Sequence, residues 1–243
     1  MDFVLVPGAW MGGWVWEPVS GGLRALGHEV YPLTLSGLAA GEAGGSRVGL
    51  KAHVDDVRSI LEENDLRDVV VVGHSYSGVV AGQVADRAPE RVAHTVYVDA
   101  FLPHDGRSML DAFPEPRRGE ELRQIAENGG LWPAPELADV ADAQGLTAEQ
   151  ARWLVERMVD HPGRTVSEPA VLNRPLADQR TTCITCSLAD SGDVAAMREE
   201  PNWTVRTLRS GHWPMVSAPD ELTAMLAEVA AEHEAGHPSP HQG

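Results

Sequence analysis

Short apolar runs alternate with amphipathic stretches along most of the chain, a pattern typical of strands joined by helices. The predicted strands cover residues 2–6, 29–35, 69–72, 92–98, 181–188 and 204–209. The predicted helices cover residues 17–27, 50–64, 78–87 and 147–160, a short segment ending near Glu200, and residues 219–235. Repeated strand–helix units favour an α/β fold, with a mostly parallel sheet and helices on both faces.

This alternation is interrupted after Pro103, where prolines, acidic residues and short amphipathic pieces replace it. Thr147-Ala-Glu-Gln150 is a capping box that begins the helix predicted within this stretch. The regular pattern resumes at Thr181. We interpret residues 1–243 as one domain, with an inserted helical cap at about 103–176 that has no core of its own.

The stretch Val69-Val-Val-Val-Gly-His-Ser75-Tyr-Ser-Gly78 is a buried strand, a tight turn and the start of a helix. A serine in such a turn holds its hydroxyl above the carboxyl edge of the sheet, so Ser75 is the candidate nucleophile. The N–H of Tyr76, at the start of the helix, is then free to bind an oxyanion. Ser77 stands where the G-x-S-x-G motif has its second glycine, and serine is small enough to preserve the packing.

A serine hydroxyl needs a base within hydrogen-bond reach. His212 lies in a Gly-His loop after the last strand, which completes the chain order of serine, acid and histidine expected with such a turn. Two positions remain open for the acid that orients this histidine. Asp99 ends the strand after the serine strand, whereas Asp190 and Asp193 follow the next strand along the chain. We favour Asp99.

The composition limits the partners and the chemistry. The 36 acidic residues against 19 basic ones give a net charge of −17, which disfavours binding to nucleic acid or to an anionic membrane. Cys183 and Cys186 fall within a predicted strand and are interpreted as buried structural thiols. His233, His237 and His241 are interpreted as a frayed tail, because Pro238 and Pro240 prevent helical spacing. No metal and no cofactor are expected.

Four segments resemble the small α/β-hydrolases related to plant methylesterases and hydroxynitrile lyases, and more closely the bacterial esterase branch of that group. They are Phe3-Val-Leu-Val-Pro-Gly-Ala-Trp-Met-Gly-Gly-Trp14, Val72-Gly-His-Ser-Tyr-Ser-Gly78, Tyr97-Val-Asp-Ala-Phe-Leu-Pro103 and Gly211-His212. The resemblance implies an α/β-hydrolase fold and an oxyanion hole formed by the N–H groups of Ala9 and Tyr76. An Asp-Ala-Phe segment is common in the bacterial branch, which supports Asp99. In the plant enzymes the acid follows a Cys-Thr-Glu pattern, and Cys186-Ser-Leu-Ala-Asp190 places its aspartate one residue later.

These observations predict a serine hydrolase that cleaves small, fairly apolar carboxylic esters through an acyl-enzyme, with Ser75, His212 and Asp99 as its catalytic residues. The candidate residues for an apolar substrate pocket are Trp10, Met11, Phe101, Trp132, Trp213 and Met215. The chain begins with a strand and has no signal-type or transmembrane-length apolar run, so a cytoplasmic protein is expected. The sequence leaves the oligomeric state open.

Three further functions remain open on the same scaffold. A lyase, tautomerase or cyclase of natural-product metabolism would use the His–Asp pair as a proton shuttle without acylating Ser75. A cofactor-free oxidative enzyme and a ligand-binding sensor are also compatible with these residues. A dehalogenase or epoxide hydrolase with an aspartate nucleophile is disfavoured, because the turn residue is serine. Cyanohydrin cleavage is also disfavoured, because Trp213 stands where the plant lyases carry a lysine and Lys51 is the only lysine here.

Overall fold

The computed structural model describes residues 1–42, 44–141, 145–188 and 194–236. Six parallel strands form the main sheet in the order β2-β1-β3-β4-β7-β8, and two further strands pair with each other. The strands are β1 (Asp2–Val6), β2 (Glu29–Pro32), β3 (Val69–His74), β4 (Val92–Val98), β5 (Leu131–Trp132), β6 (His161–Pro162), β7 (Thr181–Cys186) and β8 (Trp203–Leu208). The predicted α/β class with a mostly parallel sheet is confirmed.

Helices connect the strands along the chain. The α-helices within the described residues are α1 (Glu17–Ala25), α2 (Leu50–Glu63), α3 (Ser77–Arg87), α4 (Arg117–Glu127), α5 (Leu137–Ala141), α6 (Ala148–Val155), α7 (Gly163–Ser167), α8 (Val194–Glu199), α9 (Pro214–Ser217) and α10 (Pro219–Gly236). Short 3-10 helices cover Gly13–Trp16, Gly45–Arg47, Met109–Ala112 and Leu176–Asp178. Within the described parts of the chain, no helix has the length and apolar character needed to cross a membrane.

Each face of the sheet has its own hydrophobic core, which explains the continuous valine run of β3. Val70 and Val72 belong to one buried cluster, together with side chains of α1 and α10. Val69 and Val71 point to the opposite face and join side chains of α2 and α3. A strand buried on both faces has no polar side to show, so its sequence does not alternate.

Several predicted elements end earlier than the sequence pattern indicated, and β2, β7 and α6 are examples. β2 stops at Pro32, which has no N–H to continue the ladder, and not at residue 35. β7 stops at Cys186 and not at residue 188. Helix α6 ends at Val155 and not at Asp160, because nearby residues form other contacts: the N–H of Val159 donates to Trp10 O, and the Asp160 carboxylate accepts from the N–H of Ala134.

Residues 103–176 lie between β4 and β7 and hold α4 to α7. They also contain the antiparallel pair β5–β6, in which Trp132 faces His161. Apolar side chains of this segment pack into both main core clusters, for example Leu154 into one and Val166 into the other. The boundaries of a cap within this segment stay a prediction.

The order of the strands places the serine turn. From β1 the chain moves outward to β2, and from β3 it moves the opposite way to β4, so the order reverses between β1 and β3. In open parallel sheets the crevice beyond such a reversal is the usual ligand site. The loop after β1 and the turn after β3 meet there.

Candidate active site

The turn after β3 holds Ser75 in a backbone conformation that few residues adopt. Its φ is +53°, in the left-handed region, and the N–H groups of Gly78 and Phe101 both donate to its carbonyl oxygen. Gly73 is required because a Cβ there would lie 2.5 Å from Ser77 O. The resulting turn is sharp enough to direct the Ser75 hydroxyl away from the helix and the sheet.

Ser75, His212 and Asp99 form a hydrogen-bonded row at the carboxyl edge of the sheet. The Oγ of Ser75 lies 2.9 Å from Nε2 of His212, and Nδ1 of the same ring lies 2.6 Å from Oδ2 of Asp99. An ionised carboxylate can only accept, so Nδ1 carries the proton and Nε2 is left to accept from the serine. This arrangement can take a proton from the serine hydroxyl.

Asp99 is fixed by the edge of the neighbouring strand β7. Its φ is +44°, its N–H donates to Ile184 O at 2.8 Å, and the N–H of Cys186 donates to its Oδ1 at 3.3 Å. The turn directly after β4 therefore directs this carboxylate toward His212. The competing candidates, Asp190 and Asp193, lie outside the described residues.

The loop after β1 lies against the serine turn. A Cβ on Gly8 would lie 2.7 Å from Nδ1 of His74 and 3.0 Å from Cβ of Ser75, so glycine allows this close approach. Within the described chain, the N–H groups of Ala9 and Tyr76 donate to no protein acceptor. Both are available for a ligand oxygen beside Ser75.

His74, next to the serine, is fully buried and holds the backbone of the loop that carries His212. Its Nε2 lies 2.6 Å from the carbonyl oxygen of His212, so this nitrogen is the donor. Burial, followed by the nearby His212, lowers the pKa of His74 to about 3. His74 is therefore neutral at physiological pH and contributes an N–H and packing.

Two of the predicted pocket residues contact the row or its supporting turn, and a third, Trp10, lies in the loop after β1. The ring of Trp213 packs edge-on against His212, with ring centroids 5.2 Å apart. The backbone of Phe101 bonds to Ser75, and its ring lies 5.7 Å from Phe113. Trp10 directly follows Ala9 in the chain, and its φ of +66° also lies in the left-handed region.

The remaining predicted pocket residues are more deeply packed. Trp132 lies 4.3 Å from the Trp10 ring and donates from Nε1 to the Glu121 carboxylate at 2.7 Å. Met11 and Met215 are 1% and 0% exposed and belong to a hydrophobic core cluster. That these residues line a substrate pocket stays a prediction.

Two buried histidines support this site, and nothing in the sequence pattern indicated their contacts. His53 of α2 accepts at Nδ1 from the Tyr76 hydroxyl, 2.9 Å away, because its Nε2 donates to Ser36 O at 2.8 Å. His161 of β6 accepts at Nδ1 from the N–H of Trp10 at 3.2 Å. Both contacts join segments far apart in the chain. Among the described residues, no group of three or more His, Cys, Asp or Glu side chains could hold a metal ion.

Known proteins resemble this chain over nearly its full length. "Carbendazim hydrolyzing esterase" from Nocardioides sp. (strain SG-4G) is 32% identical over 248 residues, covering 94% of this chain and 99% of that protein. Methylesterase 10 from Arabidopsis thaliana is 24% identical, covering 95% and 92% of the two chains. These relatives confirm the resemblance to bacterial esterases and plant methylesterases.

A solved structure agrees with the fold. An extracellular alpha/beta-hydrolase from a Paenibacillus species, which shares structural and functional homology with tobacco salicylic acid binding protein 2, superposes with a TM-score of 0.85. It is 20% identical, and the match covers 94% of this chain and 98% of that one. The model of the alpha/beta hydrolase family matches residues 3–225, and the chain belongs to that family.

Proposed function

We propose that the protein is a serine carboxylesterase that cleaves small, fairly apolar esters through an acyl-enzyme. The observation that carries this proposal is the hydrogen-bonded row of Ser75, His212 and Asp99 beside two unpaired backbone N–H groups. The row supplies a nucleophile with its base, and the N–H groups supply the stabilisation of the developing charge.

The proposed reaction has two halves. Ser75 Oγ attacks the ester carbonyl carbon while His212 Nε2 takes its proton, and Asp99 stabilises the resulting imidazolium. The tetrahedral oxyanion is held by the N–H groups of Ala9 and Tyr76, each worth about 3 kcal/mol in the transition state. His212 then protonates the departing alcohol. Water, activated by the same imidazole, releases the acid and restores the serine.

Labelling with a fluorophosphonate, followed by turnover of short aryl esters, tests this proposal. We expect rapid labelling of the wild type at Ser75 and a burst of the leaving alcohol. The Ser75→Ala variant should take no label and lose about 10⁴-fold or more in kcat, with little change in melting temperature. Carbendazim belongs in the screen, because the 32% identical relative is named for hydrolysing it.

The same measurements separate an esterase from the rival functions. Label on Ser75 without ester turnover would favour a lyase, a tautomerase, a cyclase or a ligand-binding sensor. Unchanged turnover in Ser75→Ala would remove the acyl-enzyme and favour the proton shuttle. A cytoplasmic location is part of the proposal, and fractionation of the producing cells tests it.

A further inference from the structure

Trp10, directly after the proposed oxyanion donor Ala9, is held by the segment 103–176. A tryptophan with a φ of +66° is strained and needs surrounding contacts to keep it there. Three hydrogen bonds do so. The N–H of Trp10 donates to His161 Nδ1 at 3.2 Å, its Nε1 donates to Trp132 O at 3.2 Å, and its carbonyl accepts from the N–H of Val159 at 3.0 Å.

The hydrogen bonds of His161 fix which nitrogen carries its proton. The Thr165 hydroxyl donates to Pro162 O at 2.7 Å, so its oxygen accepts from His161 Nε2, which lies 2.8 Å away. This leaves Nδ1 as the acceptor for the N–H of Trp10. Complete burial, with a smaller contribution from His53, holds the pKa of His161 well below its usual value, so the ring remains neutral.

The opposite side of the same loop is held by the serine turn. The Ser77 hydroxyl donates to Pro7 O in a buried hydrogen bond. The peptide that carries the N–H of Ala9 therefore lies between two anchors, one on α3 and one on β6. The His161 ring also packs against Tyr76, with ring centroids 4.7 Å apart, and so contacts the residue that carries the second donor.

We infer that His161 is a positioning residue for the oxyanion hole. By accepting from the N–H of Trp10, it fixes the Ala9–Trp10 peptide and so restrains the adjoining Gly8–Ala9 peptide, which carries the N–H of Ala9. Its effect is indirect, because the contact runs through Trp10 and not through the substrate. The inference rests on the proposed function, since it assigns the N–H of Ala9 to the oxyanion of an ester.

Two amide substitutions test the roles of Nδ1 and Nε2 of His161 one at a time. In His161→Asn the amide oxygen occupies the place of Nδ1 and can still accept from the N–H of Trp10. In His161→Gln the longer amide reaches the place of Nε2, contacts Thr165, and leaves Trp10 without its acceptor. Thr165→Ser is the matched control, because it keeps the hydroxyl that accepts from Nε2 and leaves Nδ1 untouched.

We expect His161→Gln to lower kcat at least about tenfold with KM within about threefold, because a displaced donor weakens transition-state binding more than substrate binding. His161→Asn and Thr165→Ser should stay within about threefold of the wild type in both constants. Amide hydrogen exchange at Trp10 should be faster in His161→Gln than in His161→Asn. Melting temperatures of all variants show whether any loss reflects unfolding.

Equal kcat values for the Asn and Gln variants would overturn the positioning role while leaving the esterase proposal intact. If the wild type neither labels at Ser75 nor turns over esters, the proposed function fails instead. Amide exchange still decides the inference in that case. Equal exchange rates at Trp10 in the two variants would show that His161 does not hold the loop.

Discussion

The serine turn and the segment 103–176 contribute to the same site in opposite ways. At the turn, each reactive side chain comes directly from the end of a strand or the loop after it, and short-range backbone geometry directs it. Ser75 and Asp99 both sit at positive φ, +53° and +44°, immediately after β3 and β4. The segment 103–176 instead contributes through distant partners, such as His161, which lies 151 residues from the backbone N–H that it accepts. Local sequence therefore predicts which side chains meet at the row, and long-range packing holds the loop beside it.

The largest effect on kcat is expected at Asp99, the proposed acid directly after β4. This prediction tests the contribution of the serine-turn side of the comparison. Asp99→Asn is nearly isosteric, but the amide favours the wrong tautomer of His212. We predict a loss of at least about 10³-fold in kcat with little change in the melting temperature. Steady-state kinetics on an aryl ester measures the loss.

Asp190→Asn and Asp193→Asn are the matched controls and should stay within roughly tenfold of the wild type. The reverse pattern would put the acid after β7 and reduce Asp99 to a structural strand end. Comparable moderate losses at Asp99 and Asp190 would mean that either carboxylate serves His212.

The next effect is on folding stability and concerns three buried histidines near the site. Burial lowers the pKa of His53, His74 and His161 in the folded protein below the usual value of 6.5. The unfolded chain therefore binds more protons as the pH falls below 6.5, and folding stability decreases on acidification. Between pH 7.5 and 5.5 we expect a loss of about 1 kcal/mol from His74, whose pKa is about 3, and a further loss from the other buried histidines.

Urea unfolding at the two pH values measures this loss. His161→Asn should reduce the pH dependence, because one of the buried histidines with a lowered pKa is gone. A stability that is independent of pH in this range would mean that these rings bind protons in the folded protein as readily as in the unfolded chain.

The sequence was sufficient to predict the sheet, and to predict which three side chains form the hydrogen-bonded row, for a physical reason. Four consecutive valines can be buried on both faces of a strand, and Gly73 followed by Ser75 and Gly78 specifies a sharp turn into a helix. A parallel sheet then brings the ends of its strands to one edge. His212 could be selected because it follows the last strand.

The contacts of the inserted segment could not be predicted in the same way. In the sequence, His161 stands directly before Pro162, and this pair predicted only that a helix ends there. Its role depends on β6 pairing with β5, a two-residue strand with no recognisable pattern. The early end of α6 has the same origin, because the N–H of Val159 bonds to Trp10 in a distant loop. Such contacts are decided by tertiary packing and leave no local signal.

A smaller effect is expected at Ser77, the anchor on the turn side. Ser77→Ala removes the donor to Pro7 O and leaves a buried carbonyl without a partner, at a cost of about 1–3 kcal/mol of folding stability. Ser20→Ala is the matched control, since the Ser20 hydroxyl is equally buried and has no hydrogen-bond partner among the described residues. Thermal and urea unfolding compare the two. Equal stability of both variants would contradict the anchor at Pro7.

The smallest effect is expected at Trp132 on the side of the inserted segment. Trp132→Phe keeps an aromatic ring against Trp10 and the backbone carbonyl that Trp10 Nε1 contacts, but it loses the N–H that donates to Glu121. We predict a loss of about 1 kcal/mol in stability and a change of about two- to threefold in KM, with kcat nearly unchanged.

Trp203→Phe is the control, because it makes the same change in side-chain size far from the site. Trp203 begins β8, at the opposite end of the sheet from Ser75. Among the described residues, the Nε1 of Trp203 has no hydrogen-bond partner. It should leave KM and the acyl-chain preference unaltered. If Trp132→Phe alters stability but gives the same KM and chain preference as the Trp203 variant, Trp132 serves packing only. The contribution of the inserted segment to the site would then be limited to holding the loop at Trp10, and the residues that select the substrate would have to lie on the turn side.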